Sequence, residues 1–353
     1  MKSDLKSIVR TQPTLTAQEF YDYLIKRQTA DPDQEGRLLF RGHKDASFKL
    51  IPSALRPDAM PWFDNVKPFR GNKELAILIE FYRRATELGL DLPRVPSEVH
   101  RSLMEADENS SANLSPWFPN ENLRELIALA QHYGMKTRLL DWTRSSGAAM
   151  TFAASGALNI INELLREGQP RARADDNFLK ELSFQQIHVW VLNRDRAKSI
   201  SKNAMACLKN EYSRKAMPFD IDFVEPPTQS NKNIVAQLGA FTLHQPHIMN
   251  EKWAHLDKVN LPLDEAILCC HRFLEVHKDL SNADRLQMIL ECVTLPILEV
   301  PKLLRILKQH NMDSAKLFPG FEGCVQAVND TITLKHVQSK LDSLAVGVNL
   351  ETI

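Results

Sequence analysis

No stretch of about 20 apolar residues runs through this chain, so the sequence predicts no membrane-spanning helix. Met1 to Arg10 is polar and charged where a secretion signal would carry an apolar core. Net charge is missing as well: 44 basic residues cancel 44 acidic ones, which excludes an overall positive field of the kind that draws a protein to nucleic acid without sequence preference. Cysteine is scarce. Cys207, Cys269, Cys270, Cys292 and Cys324 are odd in number and have no C-x-x-C spacing, so they read as core thiols rather than a disulfide framework or a zinc knuckle. The expected location is the cytoplasm, and the sequons at Asn109 and Asn113 carry no weight without secretion.

Several chemical signatures are absent too. There is no Gly-x-x-x-x-Gly-Lys phosphate loop, no Gly-x-Gly-x-x-Gly dinucleotide fingerprint and no His-Glu-x-x-His zinc pair. No Gly-x-Ser-x-Gly elbow supports a serine hydrolase. His43, His244, His247, His255 and His271 are scattered without ligand spacing, so no metal site is expected.

What is present is ordinary globular material, 43% hydrophobic and 25% charged over 353 residues, enough for one large domain with an insertion or a domain plus an appendage. Thr16-Ala-Gln-Glu19 has the form of a capping box and predicts a helix over Ala17 to Gln28. Arg37 to Phe40 reads as a short buried strand opening into a loop at Arg41-Gly42, with a second extended piece at Phe48 to Ile51. Helical spacing marks Lys73 to Leu88, Asn122 to Tyr133, Ser146 to Leu165, Lys302 to His310 and Phe321 to Val328. Strands are expected at Thr137 to Thr143, Gln186 to Leu192 and Gly239 to Leu243. Residues 92–120, punctuated by Pro93, Pro96, Pro116 and Pro119, read as a loop insertion, and Arg166 to Ser183 as a charged loop. This order is neither a βαβ alternation nor all helix. It predicts an α+β fold with a central mixed or antiparallel sheet flanked by helices and a helical C-terminal part. The expected partition is an extension over 1–14, a main domain over 15–260 and a mainly helical extension over 261–353.

Polar residues concentrate at a few places. Arg41 at a strand end could grip a phosphate or carboxylate through its planar fork, with Gly42 permitting a sharp turn and close backbone approach; alternatively Arg41 is structural and paired with an acid, for which Asp141 is the candidate. In Gln131-His-Tyr-Gly134 and Thr137-Arg-Leu-Leu-Asp-Trp-Thr143, period two sets Thr137, Leu139, Asp141 and Thr143 on one face of the strand. His132 lies near a helix C-terminus, where Asp141 could orient it as a base. Gln237, just ahead of a strand, brings a carboxamide that both donates and accepts.

Phe40-Arg-Gly42 with Pro52-Ser-Ala-Leu-Arg56, the block Ala130 to Thr143 followed by Ala149-Met-Thr-Phe-Ala153, then Gln237 to Thr242 and Leu317-Phe-Pro-Gly-Phe-Glu-Gly323, resemble in order the blocks of the FRG domain family. That family is found widely in bacteria and their mobile elements, and the resemblance implies little mechanism. The strand ending in Phe-Arg-Gly and the Ala-x-x-Phe-Ala helix are also similar to arginine-class ADP-ribosyltransferases. That second likeness implies NAD as cofactor, Arg41 and Gly42 at its phosphates, Thr137 or Thr143 as a brace, and Gln237 or Gly239 where those enzymes hold a glutamate. A carboxamide or a glycine cannot supply the negative charge needed there, so Asp141 or His132 would have to. The combined expectation is a cleft for a nucleotide-like anion, with ADP-ribosyl transfer or NAD cleavage as its chemistry; the alternative is a module recognising a protein or nucleic acid, its motif residues being structural.

Overall fold

The computed structural model describes residues 10–11, 15–30, 37–56, 70–105, 121–167, 180, 182–208, 219–226, 236–246, 261–276 and 289–347. In chain order the elements are β1 (Arg10–Thr11), α1 (Ala17–Thr29), β2 (Leu38–His43), α2 (Arg70–Glu87), α3 (Ser97–Glu105), α4 (Arg124–His132), β3 (Leu139–Thr143), α5 (Ser146–Glu167), β4 (Gln186–Asn193), α6 (Arg194–Leu208), β5 (Phe219–Val224), β6 (Gly239–Pro246), α7 (Leu263–Val276), β7 (Leu290–Pro296), α8 (Val300–Gln309), α9 (Ser314–Leu317) and α10 (Phe321–Gly347). The expected α+β class with a helical C-terminal part is the one observed.

The strands form one seven-stranded sheet in the order β1-β7-β4-β2-β3-β6-β5. Only β1 and β7 run parallel; every other neighbouring pair is antiparallel. Side chains that alternate along the strands feed separate cores. Leu39, Leu140, Trp142, Trp190, Leu192 and Ile221 face a core shared with α6 and α7. Phe40, Val189, Val191 and Val293 face a second core that α1, α5, α8 and α10 complete. A third, under α2, α3 and α4, takes Leu139, Val224, Phe241 and Leu243.

Local chemistry explains the element ends. Thr16 closes a reciprocal capping box with Glu19 at the start of α1. Gly134, at φ +91°, takes the left-handed turn that follows α4. The charged pair Arg138 and Glu74 is buried and bidentate, with two 3.0 Å contacts that tie α2 to the start of β3.

Several expectations change. β2 continues through Arg41 and Gly42 to His43, because the ladder to β4 runs unbroken from Leu38↔Asn193 to His43↔His188; the anticipated loop opening there is strand. Phe48 to Ile51 forms no strand, being occupied by turns that dock Leu50 O on Leu263 N. Within the expected insertion, Ser97–Glu105 is helix α3, and 106–120 lies outside the described residues. Most of the charged loop after Arg166 lies outside them as well. α10 runs on to Gly347, well past Val328, since nothing between them breaks a helix. The segment after residue 261 contributes β7, which sits between β1 and β4 in the sheet. By length and mean hydropathy, Ser146–Arg166 does meet the test for a membrane span, contrary to the sequence expectation. Ala149, Met150, Ala153, Ala154, Ala157, Leu158 and Ile161 of this helix are buried in the second core, which accounts for its apolar composition.

Candidate functional site

β2 and β3 are neighbours in the sheet, yet they pair at one position, Phe40↔Thr143. Beyond it they part, and Arg41 fills the gap. Its Nη1 donates to the Asp141 main-chain carbonyl at 2.6 Å and to Asp141 Oδ2 at 3.0 Å. Its Nε donates to His43 Nε2 at 2.8 Å. The acid partner anticipated for Arg41 is therefore Asp141. Among the described residues Nη2 has no hydrogen-bond partner, so one edge of the guanidinium remains for another acceptor.

Asp141 is also held from the other side. Gln131 Nε2 donates to Asp141 Oδ1, and Thr137 Oγ1 donates to Gln131 Oε1. Thr137 in turn anchors the Pro52-Ser-Ala-Leu-Arg56 segment: its amide donates to Ser53 Oγ at 3.2 Å, and its carbonyl accepts from Ala54 N at 3.0 Å. Arg41, Asp141, Gln131, Thr137 and Ser53 thus form one continuous network at the N-terminal end of β3. The Arg41 side chain is 14% exposed and that of Asp141 58%, so the network is covered at the arginine and open at the carboxylate.

Behind Arg41 lies a buried imidazole chain that spacing in the sequence did not reveal. His43 Nδ1 contacts His188 Nε2 at 2.8 Å, and Trp190 Nε1 donates to that same nitrogen at 3.0 Å. Arg41 Nε and Trp190 Nε1 can only donate, so His43 must accept at Nε2 and carry its proton on Nδ1, which it gives to His188 Nε2. Both rings are neutral in this arrangement. Burial, reinforced by the Arg41 cation, pushes His43 down to about 2; burial pushes His188 down to about 4. The chain becomes legible once β2 and β4 are registered, for Arg41↔Trp190 and His43↔His188 are cross-strand pairs.

Gly42 has a different role from the turn expected of it. A Cβ there would stand 1.9 Å from the Ala149 carbonyl oxygen and 3.0 Å from Ala153 Cβ. Gly42 and the Ala149-to-Ala153 block are therefore two halves of one contact, which seats α5 on β2 and holds Arg41 in register.

The remaining candidates lie elsewhere. Thr143 Oγ1 donates to the Gln237 carbonyl at 2.6 Å, and Gln237 Nε2 donates to the Leu317 carbonyl at 3.3 Å. Thr143 and Gln237 thus bind the turn that precedes α10, at the end of β3 away from Thr137. Thr137 and Thr143 stand six residues apart, whereas Asp141 is two residues, roughly 7 Å, from Thr143 along the strand. His132 sits at the end of α4 with its ring edge against Tyr133, 5.4 Å between centroids. The Asp141 carboxylate, offered above as its orienting acid, accepts from Arg41 and Gln131. Among the described residues no cluster of three or more His, Cys, Asp or Glu could hold a metal ion.

The family model described as "FRG domain" matches residues 36–159. No curated protein and no solved structure matches the chain, and nothing in these comparisons ties it to ADP-ribosyltransferases. The matched span contains Arg41, Gly42, Ser53, Gln131, Thr137, Asp141 and Ala149, which is the whole network around the β2/β3 gap with the glycine contact that supports it; over residues 36–159 the chain is similar to the FRG domain.

Proposed function

We propose that the gap between β2 and β3 binds a small nucleotide-like anion, with Arg41 as the anion holder. The observation that carries this reading is the fixed guanidinium. Three hydrogen bonds immobilise Nε and Nη1, while among the described residues Nη2 keeps both its donors. Arginine positioned in this way meets a phosphate with little further loss of side-chain freedom. Asp141 narrows the class of ligand. An exposed carboxylate beside the arginine repels a bare polyanion and favours a group that donates hydrogen bonds, such as a sugar hydroxyl or an amide. A nucleotide carries both kinds of group, and NAD is the natural first probe.

The reading extends to chemistry only through the cluster itself. Gln237, which the likeness to ADP-ribosyltransferases sets in the place of the acid, is occupied at Leu317 and Thr143. Transfer from NAD or its cleavage would draw on Asp141, whose charge lies within the gap. Cys270 and Cys292, buried as thiols whose pKa burial pushes up to about 12, fit a reducing compartment such as the cytoplasm. A second reading, a recognition module whose motif residues are structural, draws on the Arg41–Asp141 pair, since that pair already satisfies the arginine's charge.

Thermal-shift titration with NAD and with nucleoside mono- and triphosphates separates the two readings, combined with an assay for nicotinamide release. The binding reading expects a ligand-dependent rise in melting temperature that Arg41→Gln abolishes. A folded wild-type protein that responds to none of these nucleotides supports the structural reading instead.

A further inference from the structure

We propose that the cavity between α5, α9 and α10 binds a small organic cation, a primary ammonium or guanidinium carried on an apolar body. The cavity holds about 330 Å³, and no residue of the Arg41 network lines it. It gathers motif residues that this network leaves unused: Phe152 from Ala149-Met-Thr-Phe-Ala153, and Phe318 and Glu322 from Leu317-Phe-Pro-Gly-Phe-Glu-Gly323. Phe152 and Phe318 stand edge to face with 6.0 Å between ring centroids, and Phe152 is 39% exposed, so ring surface remains available at the cavity. The turn that carries Phe318 is fixed in place. Gln237 Nε2 donates to the Leu317 carbonyl, and a Cβ on Gly323 would stand 1.9 Å from the Phe318 carbonyl oxygen, so α10 begins in close contact with that turn.

The polar lining selects the ligand. Thr151 Oγ1 donates to the Gly147 carbonyl at 2.9 Å with the Met312 carbonyl at 3.1 Å, while Ser155 and Ser314 donate to the Asp330 carboxylate at 3.3 and 2.6 Å. A hydroxyl has one proton, and with that proton spent each of these side chains offers the cavity lone pairs only. Gln326 also turns its amide to Asp330, at 2.7 Å. Glu322 has neither a hydrogen bond nor an ion pair among the described residues. Lys44, whose stem lies against Gly156, and Lys308, which donates to Thr331, make no ion pair there with Glu322 or Asp330. Asn159 can donate or accept, but the rest of the lining is acceptor-rich and negative. A phosphate or carboxylate, which brings only acceptors of its own, is poorly matched to it. An ammonium or guanidinium brings only donors, and the faces of Phe152 and Phe318 attract its charge.

Isothermal titration of butylammonium chloride and butylguanidinium chloride into the full chain at constant ionic strength tests this, with choline chloride and butanol as comparison ligands. At least one of the two cations should saturate the protein below about 50 mM, the weak range open to so small a ligand. Choline, a cation without N–H donors, and butanol, an uncharged body of the same length, should each bind about tenfold more weakly. Glu322→Gln keeps the size of an exposed side chain and removes its charge, so it should melt like the wild type and lose affinity about tenfold. Saturation by neither cation overturns the proposal. So does binding of choline or butanol as tight as that of the cations, and so does an unchanged affinity in Glu322→Gln. Loss of binding in Asp141→Asn but not in Glu322→Gln would put the cation in the β2/β3 gap and overturn it as well.

Discussion

Gly42 owes its identity to a carbonyl. With the Ala149 oxygen 1.9 Å from where a Cβ would stand, and with neighbours that are backbone rather than the tip of a flexible side chain, Gly42→Ala must push α5 away from β2. Overpacking of this kind costs about 1–3 kcal/mol, and urea unfolding should show a loss near the upper end. An unchanged midpoint would mean that α5 yields freely. The same glycine shows what a linear reading captures and what it misses. Close backbone approach was anticipated there, but the partner was not, since Ala149 is more than a hundred residues away and nothing local to Gly42 names it. Arg41 is similar: an acid partner was expected of it and Asp141 named, while His43 and His188 stayed hidden because imidazoles on two strands share no sequence spacing. Only the register between β2 and β4 turns scattered histidines into a chain.

Elements with a strong internal pattern were legible. α1, α2, α4, α5 and α8 followed from helical spacing, and β4 and β6 from alternation. β5 and β7 were not read, although Phe219, Ile221 and Phe223 do alternate. β7, Leu-Glu-Cys-Val-Thr-Leu-Pro, is short and buried on both faces, so it lacks the clean alternation that marks a half-buried strand. Its consequence is large. β7 pairs with β4 along Gln186↔Pro296 to Leu192↔Leu290 and with β1 on its other side, so the residues after 288 complete the sheet. Removing 289–353 strips β4 of one partner and uncovers Val189, Val191 and Ile187. The truncated chain should lose its cooperative thermal transition by circular dichroism. A cooperatively melting fragment 1–288 would instead make the C-terminal segment a separable appendage.

Stability of the whole molecule should depend on pH through three buried imidazoles. Burial holds His43 near 2 and His188 and His244 near 4, all below the ordinary value of about 6.5. Below that ordinary value the unfolded chain takes up protons that the folded one refuses, so stability falls as the pH drops. Asp264 works in the opposite sense. Burial raises it to about 6, so on acidification the folded state gains a proton there before the unfolded state does. Three sites against one leave a net uptake of about two protons by the unfolded chain, a loss of roughly 3 kcal/mol per pH unit between pH 6 and 5. Denaturant melts across that interval measure it, and equal or greater stability at pH 5 would mean the imidazole chain is solvated rather than sealed.

The central claim is that the FRG motif residues assemble a preorganised anion holder in the gap between β2 and β3. Isothermal titration of NAD into the wild-type protein and into Arg41→Gln and Asp141→Asn tests it most directly. The account predicts saturable binding to the wild type, its loss in Arg41→Gln, and altered affinity in Asp141→Asn, with all three proteins folded. Equal binding by the wild type and Arg41→Gln, or no heat from the wild type with NAD or any nucleoside phosphate, would contradict it.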